Sequence, residues 1–89
     1  MAKKFIYLRA VERTYQEQGK IFFECQTYAK NTKTVKDKID RICAEVGKQH
    51  AKALKEFLTT SADMQYISTK YYVSVPTLDR LRKAFYERW

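Results

Sequence analysis

A chain of 89 residues has room for one domain with a modest core and no second one. With 45% hydrophobic and 15% aromatic residues, two Gly and one Pro, it is too apolar and too poor in breakers to stay disordered, and it should fold mostly as helix. Its 18 Lys and Arg stand against ten acidic residues, a formal charge of +8 that favours an anionic partner without choosing among DNA, RNA, an acidic protein and a membrane surface.

Other classes are disfavoured by what is missing from the pattern. No stretch has the continuous apolar length of a membrane span, and the first nine residues are too short and too charged for a signal peptide, so the expected location is cytoplasmic. Cys25 and Cys43 lack CxxC spacing and sit among apolar neighbours, which reads as two buried thiols rather than a disulfide or redox pair. With His50 the sole histidine, no zinc-ligand pattern forms and no metal is expected. Gly19 and Gly47 stand alone, so there is no phosphate-cradling loop and no nucleotide cofactor is expected. Glu12, Glu17, Glu24 and Asp37 are scattered, no nucleophile has a recognisable setting, and an enzyme is not expected.

In chain order, the residues up to 31 form the first unit. Phe5, Leu8, Val11 and Tyr15 fit one helix face from Lys3 to Gln18, with Arg9, Glu12, Arg13 and Gln16 largely opposite. Gly19 would end or kink that helix, and a second would run from Lys20 to Ala29 with Phe22, Cys25 and Ala29 inward. The alternative is α+β, a β-hairpin over residues 4–28 turning at Glu17-Gln18-Gly19-Lys20. It is supported by the β-propensity of Ile21, Phe22, Phe23, Thr27 and Tyr28 but opposed by poor alternation on the facing strand.

A polar linker at 31–34 follows. Thr34 with Asp37 is a near match to a capping box and predicts a helix from Val35, part of a long or kinked helix spanning 34–58. Val35, Ile39, Ile42 and Val46 line its stripe, and His50, Ala53 or Leu54, and Phe57 keep the same phase. That phase favours passage through Gly47 despite a cost of about 1 kcal/mol for an interior glycine. His50 reads as a partly buried structural histidine. Thr60 or Ser61 is expected to cap the next helix, opening at Asp63.

Residues 61–89 carry the most informative pattern. Ile67 and Tyr71 face inward one turn apart, with small Ser68 leaving room for a neighbour. Tyr72 and Val73 allow only a tight turn, with Val73 directed into the core and Tyr72 where φ is often above zero, a place usually held by glycine. Ser74 caps a helix that begins at Val75 with Pro76 in its first turn. There Leu78, Leu81, Phe85 and Trp89 form the packed face, and Pro76, Arg80, Lys83 and Glu87 the opposite one.

These residues, Ile67-Ser68, Val73-Ser74, Thr77-Leu78 and Arg80-Leu81, resemble the trihelical helix-turn-helix of bacterial and phage regulators. The run from Tyr71 through Arg80, Arg82, Lys83 and Ala84 is similar to the C-terminal half of sigma-region-4-like late transcription regulators of phages of Gram-positive bacteria. The resemblance covers the last third of the chain. It implies double-stranded DNA as partner, with the helix at 75–89 as recognition helix.

On that footing Val75 and Pro76 would make apolar base contacts, Thr77 would donate to a base or phosphate, and Arg80 would read guanine through its planar fork. Arg82, Lys83 and Lys70 would hold phosphates, and Ser74 would place the helix N-terminus against one. The plain structural reading is that Ser74 is a cap and that Asp79 forms intrahelical ion pairs with Arg82 or Lys83. The expected function is a sequence-specific DNA-binding transcriptional regulator of a bacterium, phage or mobile element. A homodimer through the N-terminal helices and contact with RNA polymerase or another phage or host protein are further expectations. The alternatives are a helical interaction module or inhibitor that binds an acidic partner, and a terminase small subunit or recombination accessory protein.

Overall fold

The computed structural model describes residues 3–89, so the first unit is followed from Lys3. It contains five α-helices: α1 (Tyr15–Gln26), α2 (Lys33–Gly47), α3 (Ala51–Thr59), α4 (Met64–Tyr71) and α5 (Val75–Arg88), with single 3-10 turns at Tyr28–Lys30 and Lys48–His50. No strand occurs among the described residues. The fold is all-α, and the alternative β-hairpin over 4–28 does not form.

The first unit departs most from expectation. Residues 3–14 are irregular instead of helical, and α1 runs through Gly19 rather than stopping there. The signal for the true start is a complete capping box. Thr14 Oγ1 accepts from the Glu17 amide at 3.1 Å, and the Glu17 carboxylate accepts from the Thr14 amide at 2.9 Å. That backbone hydrogen bond is the main cause holding the Glu17 carboxyl below its ordinary pKa. Leu8 and Val11 are buried as anticipated, but their spacing of three belongs to a turn in which the Val11 amide donates to the Leu8 carbonyl. Tyr15, expected inside, is 65% exposed. From α1 it is Gln18, Ile21 and Cys25 that face the core, while Phe22 is half-buried and Ala29 exposed.

A side chain supplies what the predicted helix would have. Gln18 is fully buried, and its Oε1 accepts from the Leu8 amide at 2.8 Å. Its Nε2 donates to the carbonyls of Leu8 at 3.0 Å and Arg13 at 3.1 Å. One amide thereby satisfies three backbone groups that have no helix to pair with.

The long helix over 34–58 is broken, not continuous. Thr32, two residues earlier than expected, caps α2 by accepting from the Val35 amide. α2 ends at Gly47, Lys48 takes a positive φ of 49°, and α3 folds back against α2. Periodicity could not reveal this, because both arms of a helical hairpin bury their inner faces and each keeps its stripe. A straight helix over 34–58 would be roughly 37 Å long. The whole molecule measures 30 × 29 × 29 Å.

α3 is the element every other helix touches. It places Ala53, Leu54, Phe57 and Leu58 in the core, where they meet Ile39, Ile42 and Cys43 from α2, Ile67 from α4, and Leu78, Leu81 and Phe85 from α5. Cys25 and Cys43 are buried and free; burial raises both thiol pKa values, that of Cys43 to about 12.

Replacing Gln18 by the similarly sized methionine removes all three hydrogen bonds and leaves buried backbone groups without partners. The expected loss is about 3 kcal/mol of unfolding free energy, read from the urea midpoint. A change below about 0.5 kcal/mol would show that Gln18 does not hold the N-terminal segment.

Candidate nucleic-acid interface

The three helices α3, α4 and α5 pack on one another around Ile67, Leu54 and Leu78, none of which retains more than a trace of exposed surface. Asp63, rather than Thr60 or Ser61, caps α4, its carboxylate accepting from the Tyr66 amide at 2.8 Å. Thr60 instead turns its hydroxyl back to the Glu56 carbonyl, one of the last in α3. α4 is only eight residues long and ends where Tyr72 adopts left-handed backbone angles, φ 57° and ψ 43°. Val73 then drops into the core with 4% exposure. The abrupt corner anticipated at Tyr72 and Val73 is present, with an aromatic where glycine is usual.

Beyond the corner Ser74 caps α5. Its Oγ accepts from the Thr77 amide at 3.2 Å and lies 2.8 Å from the Thr77 hydroxyl, to which it donates. Pro76 occupies the first turn, where a missing N–H costs no hydrogen bond. Leu78, Leu81 and Phe85 are buried and Trp89 partly so, as their spacing predicted. Ser74, Pro76 and Arg80 are exposed, with Val75, Thr77 and Lys83 half-buried beside them.

The far end of α5 is held by the rest of the molecule. Arg13 donates through Nε to the Tyr86 carbonyl and through Nη2 to the Glu87 carbonyl, two groups left open by the end of the helix. Glu87 accepts from the Glu12 amide, Arg88 pairs with Glu45 of α2, and the Lys38 ammonium lies 4.0 Å from the centroid of the Trp89 ring. Ser74, Pro76 and Arg80 are exposed at the first two turns of α5, while its last turn is clasped through Tyr86, Glu87, Arg88 and Trp89.

The candidate cations divide accordingly. Arg80 is exposed and has no ion-pair partner among the described residues. Lys83 pairs with Asp79 at 2.8 Å, and Arg82 pairs with the same carboxylate at 2.6 Å, as ordinary intrahelical contacts. The hydrogen bond from Lys83 and then those of Arg82 hold the Asp79 carboxyl below its ordinary pKa. Arg82 does not share the outer face with Arg80. Its side chain retains 19% exposure and its guanidinium lies 5.6 Å from the Phe57 ring centroid. Lys70 is tied to Glu56 of α3 at 3.0 Å, and Glu56 also accepts from the Tyr71 hydroxyl at 2.7 Å.

Two features of this face were not anticipated. Tyr72 is 95% exposed and Tyr66 56%, so two aromatic rings of the motif are open to solvent, Tyr72 at the corner before α5 and Tyr66 on α4. Residues 63–89 contain only five of the 18 basic residues and three of the ten acidic ones, so most of the positive excess lies on other elements.

Because Tyr72 buries almost nothing, its left-handed backbone is not compensated by packing. Tyr72→Gly should raise unfolding free energy by about 1 kcal/mol, seen as a higher Tm. A lower Tm would mean that the exposed ring makes a contact the folded chain needs.

Comparison with protein-family models, with curated proteins and with solved structures found no match to this chain.

Proposed function

We propose that this protein binds double-stranded DNA sequence-specifically, as a transcriptional regulator of a bacterium, phage or mobile element, with the first two turns of α5 entering the major groove. The observation that carries the reading is the exposed start of α5, bearing an Arg80 with no internal partner, on a helix fixed at its other end. Residues at the start of the second helix in such a motif meet base edges, and arginine is the side chain best shaped to pair with guanine. Pro76 and Val75 offer apolar contact, while Thr77 can serve only by sharing the hydroxyl that Ser74 now engages. Lys83 is the nearest phosphate ligand and would have to be shared with Asp79. Arg82 and Lys70 are occupied within the protein and are left out of the proposed contact face. The positive charge spread over the remaining helices would supply the non-specific attraction. A terminase small subunit or recombination accessory protein would use the same face.

The test is affinity for oligonucleotides selected from a random pool. Arg80→Ala should cost about 1–3 kcal/mol and relax preference at one base position, whereas Lys83→Ala should weaken binding to all sequences and flatten the salt dependence. No selected sequence, or no effect of either change, would sink the DNA reading.

A second reading, an interaction module, is favoured by one observation: Ile6, Tyr7, Tyr15 and Phe23 are exposed to 61%, 41%, 65% and 65%. Tyr7 and Tyr15 lie side by side, with ring centroids 6.0 Å apart, and exposed apolar groups that adjoin in this way mark contact surfaces. If a second copy covers them, sedimentation equilibrium should give twice the chain mass, and Phe23→Ser should shift it toward the monomer. A monomer at all accessible concentrations would remove homodimerisation from this reading.

A further inference from the structure

A cleft of about 280 Å³ opens between the N-terminal segment and helices α1, α3, α4 and α5, away from the exposed start of α5. Phe22, Phe57, Leu58, Met64 and Tyr86 contribute apolar walls. Its charged lining is unbalanced: Lys3, Lys4 and Arg82 face it against the single carboxylate of Asp63, which is already engaged as the cap of α4. The remaining titratable groups on it, the Cys25 thiol and Tyr86 phenol, are held neutral by burial.

Two of the cations converge on one ring. The Lys3 ammonium lies 4.0 Å and the Arg82 guanidinium carbon 5.6 Å from the Phe57 centroid. Lys3 uses one of its three donors on the Phe57 carbonyl. Arg82 Nε is buried with no acceptor at all, although the same side chain pairs with Asp79 through Nη2. Burial, followed by repulsion from Arg82, brings the Lys3 ammonium down to a pKa of about 8.

We propose that this cleft binds a small amphipathic monoanion, a carboxylate on a short unbranched or aromatic body. The carboxylate accepts from Lys3 Nζ on the side of the cleft that Arg82 also lines, and the body lies against Phe22, Phe57, Met64 and Tyr86. The volume is at the small end for ligand pockets, which selects a compact molecule. The site is independent of the DNA reading, because Arg82 is no part of the exposed face of α5.

Isothermal titration of the full chain with octanoate tests this, with 1-octanol as the neutral and octylammonium as the cationic comparator. Octanoate should bind saturably at one site with a dissociation constant at or below about 1 mM, and both comparators at least about 10-fold more weakly. Lys3→Gln should weaken octanoate about 10-fold, the loss of one charge-assisted hydrogen bond, and Arg82→Gln should weaken it less, through loss of a nearby positive charge alone. Lys3 also donates to the Phe57 carbonyl, so Tm is measured for each variant, and Lys3→Arg, which keeps the charge and a donor, should retain the octanoate affinity that Lys3→Gln loses. Absence of saturable octanoate binding, equal binding of octanol, or unchanged affinity in Lys3→Gln would each overturn the assignment. None of those results bears on oligonucleotide binding.

Discussion

Every helix leaves carbonyls open at its C-terminal end, and in a small domain those ends are partly buried and must be satisfied. Here the N-terminal third of the chain supplies the donors. Gln26 donates to the Leu58 and Thr60 carbonyls at the end of α3, and Lys3 to the Phe57 carbonyl. Arg13 does the same for Tyr86 and Glu87 at the end of α5. Cationic donors suit these places, since the helix dipole puts partial negative charge there. The irregular stretch 3–14 is therefore not a loose leader to a helical domain: it closes the open ends of two of its helices.

That arrangement determines what the C-terminal motif can present. α5 packs through Leu78, Leu81 and Phe85, and its last turn is held by Arg13, Glu45 and Lys38. Exposed residues without such ties, Pro76 and Arg80, are then in the N-terminal half, which is also the half that a groove-reading helix uses. The same packing divides the cations of α5 by direction. Arg80 points away from the protein, while Arg82, two residues on and so about 200° round the helix, turns toward Phe57 and the cleft.

The corners are where local preference and tertiary demand conflict. Lys48 and Tyr72 are the two non-glycine residues with positive φ among those described, and each sits where one helix turns back on another. Burial of Leu54, Ile67, Val73 and Leu78 on either side outweighs a local cost of about 1–2 kcal/mol at each corner, since each such side chain contributes a similar or larger amount. Tyr72 gains nothing from burial in return, which makes its identity a question of what it meets outside the chain.

Amphipathic spacing by itself determined the helical class, the inward faces of α2, α4 and α5, the cap at Ser74 and the corner before it. Each of these depends on residues three or four apart, within reach of a pattern read along one element. Spacing also supported an N-terminal helix that does not exist, because Leu8 and Val11 fit a turn equally well and the Thr14–Glu17 capping box that marks the true start of α1 was passed over. Only the tertiary structure decided that 34–58 is a hairpin, that Arg82 lies against Phe57, and that Gln18 and Arg13 complete backbone groups far away in sequence or in another element. Those outcomes depend on which open carbonyls and which cavity lie opposite a side chain once the helices have packed. That information belongs to pairs of residues up to 75 positions apart, as Glu12 and Glu87 are, and no local period encodes it.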